Sequence, residues 1–188
     1  MPQHDVIFAG FGGQGVLLMG KLLAHAGMYA GREVSWFPSY GPEMRGGTCN
    51  CTVIVSDGPV GSPVVQHPRA IVVLNLPSLD KFEPMVRPGG LICLNSSLIH
   101  RQVRRRDVQV IHVPANEIAI ELKNPRGANM VALGAYLGAT GAVPEAILEE
   151  VIRETFAAKP AVVEANLEAF RRGLALGRGA AVAQEVVA

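Results

Sequence analysis

Short, continuous apolar runs separated by glycine-rich and polar loops fill the first two-thirds of the chain, and longer amphipathic stretches fill the rest. Val6–Ala9 has no polar alternation, which predicts a strand buried on both faces. It runs directly into Gly10-Phe-Gly-Gly-Gln-Gly15. Val16–Ala30 then sets Leu17, Leu18, Leu22, Ala26 and Tyr29 near one stripe, which predicts a helix closed by Gly31. Glu33–Phe37 reads as a second strand that Pro38 stops. Thr48–Ser56 sets Cys49, Cys51, Val53 and Val55 on one face against a wetter face, the pattern of a half-buried strand. Ala70–Leu76, Leu91–Leu94 and Val108–Val113 are further strands. Ser78–Val86 is a short helix interrupted by Pro84. Asn116 is placed to cap a helix reaching Leu122. Helices are expected over Asn129–Ala139, Pro144–Ala158 and Val162–Leu176, the last ending at Gly177, with 179–188 as a frayed tail.

Strands alternating with helices and then giving way to helices predict one α/β domain over residues 1–178, with a mostly parallel sheet and a helical C-terminal part. No repeat or linker divides the chain. At 188 residues it is long enough for one core and short for two.

Composition adds limits. Apolar residues make up 49% and charged residues only 18%, below the usual quarter. Either the core is large for its size or a partner covers part of the surface. A net charge of +1 gives no general attraction for nucleic acid. The one basic run, Arg101–Arg106, reads as a solvated loop before a strand or as a partner-facing patch. No apolar run reaches membrane-spanning length. Three cysteines, Cys49, Cys51 and Cys93, are too few to hold an iron–sulfur cluster alone, and with no signal peptide they suit a reducing compartment. A soluble, cytoplasmic protein is expected.

Gly10, Gly12 and Gly15 have the spacing of a dinucleotide fingerprint, with a strand before and a helix after. The acid that would hold a ribose at the end of the second strand is missing, because that strand ends in Trp36-Phe37-Pro38. The lysine of a P-loop is missing too, since Val16 follows Gly15. What remains is an anion site at a helix start, built by Gly12, Gly13, Gln14 and Gly15, or a tight turn with no ligand. A second loop, Tyr40-Gly-Pro-Glu-Met-Arg-Gly-Gly47, offers Tyr40, Glu43 and Arg45 beside Gly46. Arg45 suits a phosphate or carboxylate, or it pairs locally with Glu43. Asn129 begins a helix rich in small residues, as a ligand contact or as a near-cap under a tight interface. The five histidines have no evident catalytic or metal-binding partners, so no catalytic residue and no metal ligand is assigned.

Phe8–Val16, Ser39–Gly47 and Asn129–Ala135, in that order, resemble the gamma subunit of the 2-oxoacid:ferredoxin oxidoreductases, and Ser62-Pro63 adds to the match. The resemblance implies a Rossmann-like three-layer module. It implies an enzyme that oxidatively decarboxylates a 2-oxoacid with coenzyme A, giving an acyl-CoA and carbon dioxide and reducing ferredoxin. Thiamine diphosphate with Mg and the iron–sulfur clusters would belong to alpha, beta and delta-type subunits, and this chain would bind none of them alone. Gly12–Gly15, Tyr40, Glu43, Arg45, Gly46 and Asn129 would then face coenzyme A or the thiamine-binding subunits. The resemblance leads to a glycine where Lys123 stands. A stand-alone nucleotide- or acyl-CoA-binding module is the alternative, and an isolated chain could cover its partner surface as a homodimer.

Overall fold

The computed structural model describes residues 3–40 and 48–185, with side chains from 3–39 and 48–181. The elements are β1 (Gln3–Phe11), α1 (Val16–Tyr29), β2 (Glu33–Tyr40), β3 (Thr48–Ser56), β4 (Ala70–Val73), α2 (Leu76–Phe82), β5 (Leu91–Asn95), β6 (Gln109–Val113), α3 (Ala115–Glu121), α4 (Ala128–Thr140), α5 (Glu145–Thr155) and α6 (Pro160–Glu185), with a 3-10 turn at Glu83–Met85.

The strands form one sheet in the order β2-β3-β1-β4-β5-β6. β1, β4, β5 and β6 are parallel neighbours, and β3 runs against both β1 and β2. The mostly parallel α/β prediction holds, with β3 alone reversed. β3 returns between β1 and β2, so β2 is an edge strand. That explains why Pro38 does not stop it: at an edge a missing N–H costs no ladder bond on the open side, and Pro38 pairs in register with Cys51.

Alternate residues of the central strands divide the core in two, giving three layers. Val6, Phe8, Val53, Val55, Val72 and Cys93 face α1, α4, α5 and α6. Ile7, Ala9, Ile71, Val73, Ile92 and Leu94 face α2 and the segment before β6. Tyr136 of α4 is 1% exposed and meets Phe8 edge-to-face at 5.8 Å, an arrangement worth about 0.5–1.5 kcal/mol beyond its burial.

α4 and α6 run parallel with their backbones in contact. A Cβ on Gly134 would come 2.1 Å from the Phe170 carbonyl oxygen, and one on Gly138 2.2 Å from that of Leu174. Reciprocally, Gly173 and Gly177 face the carbonyl oxygens of Val131 and Ala135 at 2.0 and 2.1 Å. The helix predicted to end at Gly177 therefore continues to Glu185, because this glycine marks a helix contact and not a C-cap.

Two other boundaries move. Asn116 lies inside α3, whose cap position is Pro114. α2 starts earlier than expected, because Asn75 Oδ1 accepts the Ser78 N–H at 2.9 Å and caps it. The basic run is largely tied down. Arg101 reaches Asp80 at 2.8 Å and Glu83 at 2.7 Å, and Arg105 pairs with Asp107. The buried Glu83 also accepts the backbone N–H groups of Arg104 and Arg105. These bonds clasp the segment between β5 and β6 onto the smaller core.

Candidate functional site: a cationic cleft at the carboxyl edge of the sheet

A ligand crevice in an open α/β sheet lies beyond the carboxyl ends of its strands, where successive helices leave for opposite faces. Here α1 follows β1 onto the larger core and α2 follows β4 onto the smaller one. The break between β1 and β4 opens a cleft of about 580 Å³.

Its near wall is the glycine loop. Gly13 and Gly15 take φ of 96° and 78°, conformations that disfavour any side chain. Gly15 has a second constraint: a Cβ would sit 2.2 Å from Asn129 Nδ2. Gln14 closes the loop on itself. Its Oε1 accepts the Phe11 N–H at 2.7 Å, while its own N–H donates to Phe11 O at 3.1 Å. Asn75 Nδ2 approaches the same Oε1 at 3.5 Å. Gln14 thus spends its acceptor on shaping the loop.

α1 follows with Gly15 as its cap residue and no side-chain cap on its first turn. The N–H groups of that turn have no partner within the helix. α4 likewise begins with no side-chain cap, at Gly127. By contrast α2 is capped by Asn75, and the first N–H groups of α3 are taken by Asn95 Oδ1 and Ser97 Oγ. Of the helix starts without a side-chain cap, those of α1 and α4 open onto the cleft. Asn129, 6% exposed, joins them, donating to Gly15 O at 3.5 Å.

The far wall belongs to the loop before α4 and to the start of α6. Arg126 and Lys159 stand on it, and neither is paired with a carboxylate among the described residues. Asn124 Nδ2 donates to Asn166 Oδ1 at 3.1 Å and links the two segments beside Phe156. On the floor, Asn95 Nδ2 donates to Asn116 Oδ1 at 2.8 Å. Among the described residues, no Asp or Glu lines the cleft. Two helix N-termini, two cations and no acid make a field that favours an anion.

Of the residues singled out from sequence, Gly13, Gln14, Gly15 and Asn129 line this cleft together. Gly12 faces a smaller hollow of about 270 Å³ on the other side of the loop. Tyr40 pairs in backbone register with Cys49, which pairs with Gly10, so the second loop leaves from the same edge two strands away. Glu43, Arg45 and Gly46 lie outside the described residues. Arg126, Lys159, Asn95, Asn116, Asn124 and Asn166 were not anticipated. Asn75 and Asn95, each at the carboxyl end of a strand, were the available signal.

Residues 5–176 match the pyruvate ferredoxin/flavodoxin oxidoreductase family. The chain belongs to that family. It is 45% identical over 174 residues to ketoisovalerate oxidoreductase subunit VorA of Methanothermobacter thermautotrophicus, covering 92% of this chain but 36% of that protein. The chain thus spans about a third of the length of that relative. It is 33% identical to 2-oxoglutarate synthase subunit KorC of Methanocaldococcus jannaschii, covering 91% of this chain and 92% of that one. Among solved structures, the gamma subunit of the keto/oxoacid ferredoxin oxidoreductase of Geobacter sulfurreducens superposes with a TM-score of 0.84 at 30% identity, over 96% of this chain and 99% of that one. The 2-oxoglutarate:ferredoxin oxidoreductase of Magnetococcus marinus, solved with 2-oxoglutarate, coenzyme A and succinyl-CoA bound, gives 0.87 at 27% identity, over 95% of this chain and 32% of that one.

The family's metal groups do not fit this chain's own side chains. Among the described residues no three His, Cys, Asp or Glu side chains gather to hold a metal. The three thiols are buried and unbridged, and burial pushes Cys51 and Cys93 up to about 12, far from the thiolate a cluster needs. No described helix is long and apolar enough to cross a membrane.

Proposed function

We propose that this chain is the gamma-type component of a 2-oxoacid:ferredoxin oxidoreductase and that its cleft receives the phosphate end of coenzyme A. The observation that carries the second part is the cleft between two helix starts without side-chain caps, lined by no acid among the described residues, with Arg126 and Lys159 opposite. Membership of the family supports the first part, and a relative of the same fold was solved with coenzyme A and succinyl-CoA bound. When assembled, thiamine diphosphate in the partner subunits supplies the carbanion chemistry. This chain's residues hold and orient. The α1 first turn would direct its N–H groups at a phosphate, and Arg126 and Lys159 would neutralise it. Gln14 and Asn129 keep the loop rigid. Alpha, beta and delta-type subunits would be the partners, and ferredoxin the acceptor through the complex.

The test is native purification of the tagged chain, with thiamine and iron assays and 2-oxoacid-driven viologen reduction. Coenzyme A-dependent activity with copurified iron and thiamine supports the subunit reading. In that complex Arg126→Ala and Lys159→Ala should each raise the KM for coenzyme A about tenfold, the loss of one charge-assisted phosphate contact. A chain that purifies alone overturns the subunit reading. An active complex with unchanged KM in both variants overturns only the cleft assignment.

A further inference from the structure

At the opposite, amino-terminal edge of the sheet a second recess of about 330 Å³ lies below β1, β4 and β5. Two arginines line it. Arg69 precedes β4, and Arg87 is brought alongside because its N–H donates to Pro68 O at 3.1 Å. Arg69 gives its backbone N–H and its Nε to the buried carboxylate of Asp5, at 2.7 and 3.3 Å. Its terminal nitrogens make no hydrogen bond or ion pair with any described residue, so they remain available. Arg87 makes no ion pair and donates no side-chain hydrogen bond to any described residue, and its Nε is buried without an acceptor. Arg87 is half-buried, so its Nε is shut away from water without a partner while the rest of its guanidinium faces the recess.

The local charges can be summed. Asp5 is engaged by Arg69, which leaves Arg87 uncompensated. His4 also lines the recess and is kept toward its neutral form by burial and then by Arg32 and Arg69. The C-terminal turn of α4 contributes Thr140 to the wall and carries a partial negative charge. That dipole amounts to about half a charge, and the one guanidinium left without a carboxylate, Arg87, outweighs it.

We infer that this recess is a second anion site, in which Arg87 and the free end of Arg69 clamp a phosphate group of a small molecule. The planar fork of each side chain suits a phosphate's oxygens. The site lies at the other end of the strands from the glycine loop, so it stands whether or not the cleft binds coenzyme A.

The experiment is an NMR titration of the full 188-residue chain with inorganic phosphate, reading backbone amides and arginine Nε–H signals. The expected result is saturable shifts at Gly89, Leu91 and the Arg87 Nε–H in the millimolar range. Arg87→Gln should weaken them about tenfold, Arg87→Lys should weaken them less, and Arg126→Gln should leave them unchanged. If Arg87→Gln does not fold, Arg69→Gln is read in the same way. Acetate at matched ionic strength should shift the same signals less. Absent shifts at Gly89 and Leu91, shifts that survive the arginine changes, or an equal response to acetate each overturn the assignment.

Discussion

Gly177 and Gly179 stand two residues apart in α6, and alanine should act on them with opposite signs. A Cβ on Gly177 would lie 2.1 Å from the Ala135 carbonyl oxygen, with Ala135 C at 2.9 Å and Ala139 N at 3.0 Å. Ordinary C···O contacts begin near 3.3 Å, so the helices must part by roughly 1 Å. All three obstacles are backbone atoms, and no rotamer change relieves them. Overpacking costs about 1–3 kcal/mol, and the upper end applies here. Replacing glycine in a helix returns about 1 kcal/mol. The net for Gly177→Ala is a loss of about 2 kcal/mol, which lowers Tm by about 4–8 °C in a protein of this size. Gly179 meets nothing within 4 Å. Gly179→Ala therefore keeps the propensity gain alone, about 0.5–1 kcal/mol. Urea unfolding followed by circular dichroism reads both as shifts in midpoint at constant slope. Equal effects, or a neutral Gly177→Ala, would mean that α6 does not run past Gly177 against α4, and the reasoning fails.

Lys123 has φ of 55° at the C′ position of a Schellman turn, with Asn124 N bonding Ala119 O and Lys123 N bonding Ile120 O. Lys123→Gly should therefore stabilise by about 0.5–1 kcal/mol, and thermal unfolding that shows a loss would contradict this. Glu83 feels burial, which raises its carboxyl pKa, and then Arg101 and the N–H groups of Arg104 and Arg105, which outweigh burial and hold it below 4.5. A lowered folded value means stability present above 4.5 that disappears as pH falls through the folded pKa. Glu83→Gln should lower the unfolding free energy at pH 7 by about 1–2 kcal/mol, read from the urea midpoint, and flatten the decline of that midpoint between pH 5 and 3. An unchanged acid slope would show that other carboxylates carry it.

The parallel core was legible because buried strands are written as unbroken apolar runs such as Val6–Ala9 and Ala70–Val73. Gly15 and Asn129 were legible as separate oddities, and folding put them in contact. The expected glycine at Lys123 matched a real left-handed turn, although the chain uses lysine there. The return of β3 between β1 and β2 left no local trace, so Pro38 looked like a strand terminator. The two cations of the cleft were hidden for another reason. Arg126 and Lys159 are far apart in sequence and meet only because α4 and α6 lie side by side. Glycines gave the same kind of ambiguity: a helix stop and a helix contact use the same residue, and only the facing carbonyl tells them apart.

The backbone contact between α4 and α6 also makes a lever. With 26 residues, α6 is about 39 Å long, and its first turns overhang the cleft. Side chains that interdigitate can slide by changing rotamer, but glycine faces resting on carbonyl oxygens have no such slack. A displacement applied to the far end of α6 is therefore expected to move Lys159 and, through α4, Asn129 with it. Whatever grips the outer end of this helix holds a handle on the glycine loop.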